Sequence, residues 1–178
     1  MSDFWVFGYG SLMWNPGFEH MRAKPAVLHG AHRALCVYSW VHRGTRERPG
    51  LVFGLDRGGA CRGLAYHVHS DNREETIAYL RAREQVTMVY LEHWRKVRLN
   101  TGKTVTALTY MVDRDHPQYA GALPLDEQLE VVRGASGQSG ENPDYVLNTA
   151  AHLAELGIAD AGVAWLARNL MPHSGASG

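Results

Sequence analysis

Three groups of residues in this chain have types and spacings that could do chemistry. The first is a single carboxylate. Ile77, Leu80 and Glu84 stand at i, i+3 and i+7, which puts them on one face of a helix. A carboxylate on an apolar stripe is costly unless it is paired or protonated. Burial there raises its pKa toward neutrality, which suits a general acid/base. The same spacing also fits a salt bridge to Arg81 or Arg83, or a helix-end glutamate reaching water. The second group is Phe7-Gly8-Tyr9-Gly10-Ser11-Leu12, after the apolar run Phe4-Trp5-Val6-Phe7. A strand that ends in Gly-Tyr-Gly-Ser can bend so that its N–H groups and hydroxyl face a small anionic or carbonyl ligand. Ser11 lacks the G-x-S-x-G elbow of a nucleophile, and no ordered acid and histidine can be assigned to it, so it reads as a hydrogen-bonding hydroxyl. The third group is the loop holding Arg43, Arg46 and Arg48, any of which could meet a carboxylate bidentately.

Ten histidines raise the question of a metal. His67 and His69 share a strand face, and His29 and His32 lie one helical turn apart. Neither pair has a third ligand at an informative spacing, so no metal site is expected.

These residues need elements to hold them. Residues 4–7, 31–38, 51–55, 60–69, 90–99 and 105–112 read as strands, being rich in apolar, aromatic and β-branched residues. Asp56-Arg57-Gly58-Gly59 reads as a hairpin turn between two of them. Asp71 or Asn72 is placed to cap a helix running to Glu84, with Glu74 completing a capping box. Residues 125–133 read as a further helix. Asn142 is placed to cap another, with Pro143 at its first position and an end at Gly157. Asp160 is placed to cap a last helix carrying Val163, Leu166 and Leu170. Strands first, then helices, predicts an α+β protein with a mixed or mostly antiparallel sheet.

The composition is that of a folded chain long enough for one sizeable core. The formal net charge is zero, which argues against nucleic acid or an anionic membrane as the main partner. No apolar run approaches the length of a membrane span. Met1-Ser2-Asp3 lacks the basic-then-apolar layout of a signal peptide, and a cytoplasmic location is expected. Cys36 and Cys61 form no C-x-x-C pattern and read as buried thiols. Residues 1–172 are expected to form a single domain and residues 173–178 a frayed tail.

Several motifs occur in order: residues 7–18, Arg43-Gly44-Thr45, Pro49-Gly50-Leu51-Val52-Phe53-Gly54-Leu55, Arg57-Gly58-Gly59-Ala60-Cys61-Arg62-Gly63, Leu80-Arg81-Ala82-Arg83-Glu84 and residues 137–145. Together, from about residue 4 to 170, the chain closely resembles the ChaC family of glutathione-specific γ-glutamylcyclotransferases. The resemblance implies a small closed β-barrel flanked by helices, no cofactor, and glutathione as the small-molecule partner. It implies that the α-amine of the γ-glutamyl group attacks its own γ-carbonyl, releasing 5-oxoproline and Cys-Gly, with Glu84 as the catalytic acid/base. It implies substrate contacts from Tyr9, Gly10, Ser11 and Leu12, from Arg43, and from Tyr145. Whether the glycine loop faces the oxyanion or the α-carboxylate stays open. The alternatives are a cyclotransferase for γ-glutamyl amino acids or γ-glutamylamines, and a non-catalytic module that binds a γ-glutamyl metabolite.

Overall fold

A computed structural model describes residues 2–85 and 88–171; the tail at 173–178 lies outside them. The architecture is α+β. Five strands close into a barrel: β1 (Phe4–Gly8), β2 (Arg22–Ser39), β3 (Gly50–Val68), β4 (Tyr90–Leu99) and β5 (Thr104–Val112). Their order around the barrel is β1-β3-β2-β4-β5. β1 pairs antiparallel with β3, Phe4 opposite Val68 and Gly8 opposite Leu64. Closure comes from a short parallel pairing of β1 with β5, Trp5 opposite Ala107 and Val6 opposite Leu108. β4 and β5 form the hairpin expected from Asn100-Thr101-Gly102-Lys103, with Tyr90 opposite Val112.

Two strands are longer than their apolar runs. β2 starts nine residues before the expected 31–38, because its polar opening is held by pairing: Ala26 faces Leu99 and Val27 faces Arg98 on β4. The hairpin expected at 56–59 is absent, and β3 runs straight through. The reason lies in Asp56, which is 1% exposed. Its carboxylate accepts the Arg57 N–H at 2.8 Å, Arg114 Nε–H at 2.8 Å and the Tyr119 hydroxyl at 2.8 Å. A turn would put that side chain in water. Gly58 and Gly59 take φ values of 103° and 70°, so the glycines bend the strand without reversing it. The Gly58 carbonyl accepts His32 Nδ1–H at 2.9 Å.

Four helices follow the expected order: α1 (Arg73–Glu84), α2 (Leu125–Arg133), α3 (Asn142–Glu155) and α4 (Ala161–Leu170). A two-residue ribbon, β6 (Ser136–Gly137) with β7 (Gly140–Glu141), precedes α3. Asp160 caps α4 as its position predicts, accepting the Val163 N–H at 3.1 Å. Gly157 follows the end of α3 with φ 71°, as expected. Asn72, one of the two expected candidates, takes the N-cap position of α1 but makes no side-chain capping hydrogen bond; a 3-10 turn over Ser70–Asn72 precedes the helix, and His69 Nδ1 accepts the Asp71 N–H. Asn142 is not the cap of α3 but its first residue.

The described chain divides into two compact units, each built from two segments. The first holds residues up to Ala34 and Gly54–Tyr119. Its apolar cluster gathers Phe4, Val6, Leu12, Tyr66, Val68, Leu80, Leu108 and Tyr110. Leu80 is α1's contribution, and each fully buried leucine of this kind is worth roughly 1.5–3 kcal/mol. The second holds Leu35–Phe53 and the described residues from Ala120 on. There α2, α3 and α4 pack on one another, and Val132, Val146, Leu153, Val163 and Leu166 are buried. Cys36 and Cys61 are buried and are not joined in a disulfide. Among the described residues no helix is long and apolar enough to cross a membrane.

Candidate active site

In the first unit the chain leaves β1 at Gly8 and turns into a 3-10 helix over Ser11–Met13. The turn is anchored from below. Leu12 and Met13 are buried, and the Tyr66 hydroxyl donates to the carbonyls of Leu12 at 2.7 Å and Met13 at 3.1 Å. Burial pushes the Tyr66 phenol up to about 12, so it stays protonated as that donor. The Tyr9 carbonyl accepts Arg33 Nε–H at 2.7 Å, and Arg33 Nη2 donates to the Arg62 carbonyl at 2.7 Å. Arg33 is 8% exposed, a buried cation held by main-chain oxygens. With Leu12 facing the core and Ser11 exposed, the loop presents its hydroxyl side outward.

Glu84 ends α1 on the stripe that Leu80 buries, as the spacing predicts. Its side chain is 17% exposed. Burial raises its pKa above the ordinary carboxylate range, while the Arg83 guanidinium, with Nε 3.8 Å from Oε1, opposes part of that rise. Tyr110 of β5 also feels the Glu84 charge; burial above all, then its hydrogen bond to Glu92, keeps that phenol protonated. Arg81, one of the two arginines considered as a partner, instead pairs with Glu92 at 2.6 Å. Arg83 is the larger surprise. It donates to Ser11 Oγ at 2.7 Å and to the Asn15 carbonyl at 2.6 Å, so Glu84, Arg83 and Ser11 stand together.

In the second unit, Arg43 leaves the basic loop and donates to the Glu141 carbonyl at 3.1 Å. Its guanidinium lies 5.6 Å from the centre of the Tyr145 ring. The Tyr145 hydroxyl accepts the Phe53 N–H at 2.9 Å, and the two rings lie 5.6 Å apart. Arg46 stacks on Trp40 at 4.3 Å, and Arg48 packs against Gly134. The three arginines differ in their packing: Arg43 lies against Tyr145, Arg46 on Trp40 and Arg48 beside Gly134.

Asn142 gives up capping to serve β3. It is fully buried, its Oδ1 accepts the Leu51 N–H at 2.8 Å and its Nδ2 donates to the Leu51 carbonyl at 2.9 Å. Asn142→Ala is expected to destabilise the protein by about 2–4 kcal/mol, because it orphans a buried donor and a buried acceptor. Denaturant unfolding at constant m measures it. The histidines are dispersed: His67 stacks on Trp5 at 4.5 Å with its Nε2 3.3 Å from Asp3, and His32 is engaged with Gly58. Among the described residues no three His, Cys, Asp or Glu side chains gather as metal ligands.

The family model described as ChaC-like protein matches residues 4–170. The chain belongs to the ChaC-like family. An Escherichia coli member, named glutathione-specific gamma-glutamylcyclotransferase, is 36% identical over 159 residues, covering 89% of this ChaC-like chain and 69% of its own. A Danio rerio member, glutathione-specific gamma-glutamylcyclotransferase 1, is 36% identical over 155 residues, 84% of this chain and 78% of its own. The crystal structure of a yeast gamma-glutamyl cyclotransferase specific to glutathione matches with a TM-score of 0.84 at 24% identity, over 96% of each chain. That likeness shows that the ChaC-like fold seen here is the γ-glutamylcyclotransferase fold.

Proposed function

We propose that this ChaC-like chain is a glutathione-specific γ-glutamylcyclotransferase, with residues 1–172 as one domain acting in the cytoplasm. The carrying observation is the Glu84 carboxylate, held largely out of water beside the Ser11 loop in a chain 36% identical to relatives that bear that activity's name. The family match from residue 4 to 170, through both compact units, supports the single-domain reading.

The nucleophile is already in the substrate, so the protein must fold the γ-glutamyl chain into its ring-closing conformer. Glu84 takes a proton from the α-ammonium. The freed amine attacks the γ-carbonyl and the new C–N bond closes a five-membered lactam. The ring nitrogen, cationic once bonded, sheds its second proton as the tetrahedral centre collapses and the amide C–N bond breaks; Glu84 returns its proton to the departing nitrogen, and with the second proton Cys-Gly leaves as its ammonium. A carboxylate whose pKa is raised toward neutrality can do both. The N–H groups of Tyr9, Gly10, Ser11 and Leu12 are the donors assigned to the substrate's oxygens. From the family resemblance, Arg43 is assigned to the glycine-end carboxylate of glutathione and Tyr145 to a substrate contact. No metal or cofactor enters these steps.

Incubation with glutathione and analysis of the products tests the reading: 5-oxoproline and Cys-Gly are expected in equal amounts. Glutathione should turn over much faster than γ-glutamyl-alanine. The carboxylate of γ-glutamyl-alanine sits one residue nearer the scissile amide than that of glutathione, so it would not meet a guanidinium placed for the glycine-end carboxylate. Arg43→Ala should narrow the gap by slowing glutathione alone. Equal kcat/KM on the two substrates in the parent protein would remove the glutathione assignment and leave a cyclotransferase of γ-glutamyl amino acids.

A further inference from the structure

One arginine makes most of the polar contacts between α1 and the segment that follows β1. Arg83 Nη1 donates to the carbonyls of Asn15 at 2.6 Å and Pro16 at 3.2 Å, and to the Tyr79 hydroxyl at 3.1 Å. Its Nη2 donates to Ser11 Oγ at 2.7 Å, and its Nε faces Glu84 Oε1 at 3.8 Å. Its side chain is 20% exposed, so these contacts are made partly out of water. Tyr79 adds a second clamp: Gly17 has φ 74°, and a Cβ there would run into the Tyr79 hydroxyl, so the main chain at Gly17 lies directly against that phenol. A rigid planar fork thus spans two things the proposed reaction must keep at a set separation, the loop hydroxyl and the carboxylate.

We propose that Arg83 is a positioning residue that fixes the distance between the Ser11 loop and the Glu84 carboxylate, an inference that rests on the cyclotransferase reading. The guanidinium touches neither the bond made nor the bond broken. Its effect is geometric, since an ångström of misplacement is enough to cost about a hundredfold in rate. It also acts through charge: the groups facing Glu84 are Arg83 from its own helix and the Tyr110 phenol from β5, and Arg83 is the cation of the two. Tyr66 holds residues 12 and 13 independently from β3, so the loop's base survives without Arg83.

Arg83→Gln and Arg83→Lys, made in the full chain, test the inference by loop hydrogen exchange, glutathione kinetics and the pH profile. In the Gln variant the amides of residues 10–15 and of Gly17 should exchange at least about tenfold faster while those of β1 and β3 keep parental rates. Its kcat/KM should fall by about a hundredfold, and its acid limb should move to higher pH as Glu84 loses its cation. The Lys variant should keep the parental acid limb, because the charge remains, yet show the faster loop exchange, because an ammonium lacks the planar fork. Parental loop exchange in the Gln variant, or lost activity with an unmoved acid limb, overturns the inference. If the Gln variant does not fold, parental loop exchange in the Lys variant overturns it alone. A parent protein that makes no 5-oxoproline defeats the cyclotransferase reading instead, and the exchange comparison still decides whether Arg83 holds the loop.

Discussion

Glu84→Gln is expected to lower kcat on glutathione by about 10²–10⁴-fold, the usual worth of a positioned acid/base. The amide keeps the shape and removes the titrating group. In the parent protein Glu84 must be ionised to accept the ammonium proton, so kcat/KM should rise with pH through a limb centred above the ordinary glutamate value of about 4.3. Burial is what displaces that limb upward. The limb should vanish in the variant. The sign of the stability change runs the opposite way from the activity. A raised pKa means the folded state prefers the protonated acid, so Glu84's contribution is present below the ordinary carboxylate pKa and is lost as pH rises through the raised one. Above that window the Gln variant should be at least as stable as its parent. A variant that is folded, stable and fully active would take Glu84 out of the mechanism.

The second large effect is on stability. Asp56→Ala should cost about 3 kcal/mol, the low end of what breaking a buried ion pair costs, because Arg114 is 40% exposed and rehydrates once its partner is gone. For a chain of this size that lowers Tm by roughly 6–12 °C. Burial alone would raise the Asp56 pKa, but the hydrogen bonds from Tyr119, Arg114 and the Arg57 N–H outweigh it and hold the carboxyl below its usual range. A lowered pKa contributes stability above the unfolded value of about 3.9 and loses it as pH falls through the folded one. Thermal melts of parent and Asp56→Ala should therefore converge on acidification below pH ~4. A constant gap down to the lowered pKa would mean that Asp56 acts by packing alone.

Local pattern carried a good part of this structure. The i, i+3, i+7 spacing was enough to put Glu84 on α1's buried stripe, and Asp160 announced α4 because an N-cap is satisfied within four residues. What failed needed partners far along the chain. Asp-Arg-Gly-Gly has turn composition, and only Arg114 and Tyr119, about sixty residues on, keep Asp56 inside a continuous strand. Asn142 followed by proline looks like a cap, yet its amide is committed to Leu51, 91 residues earlier. Barrel closure depends on β1 meeting β5, a pairing no periodicity encodes; the family resemblance implied it. Arg83 entered only as a neighbour able to pair with Glu84, since nothing local shows that residues 11–16 would come to its fork. Arg33 shares its strand face with Ala31, Leu35 and Val37, so alternation alone places a cation on the buried side of β2; what local sequence does not show is that the Tyr9 and Arg62 carbonyls would be there to receive it.

The interleaving of the two compact units bears on how the chain is made. Residues 35–53 leave the ribosome long before residues 120–170, with which they form the second unit. At about 5–20 residues per second, the first of those partners emerges some 3–13 s later. During that interval Leu35, Val37 and Leu51, all buried in the folded protein, lack the later segment of their compact unit. Nascent chains are thus expected to recruit holdase chaperones while residues 54–119 are being synthesised. A stop codon placed after residue 119 should yield an aggregating product, not a soluble half.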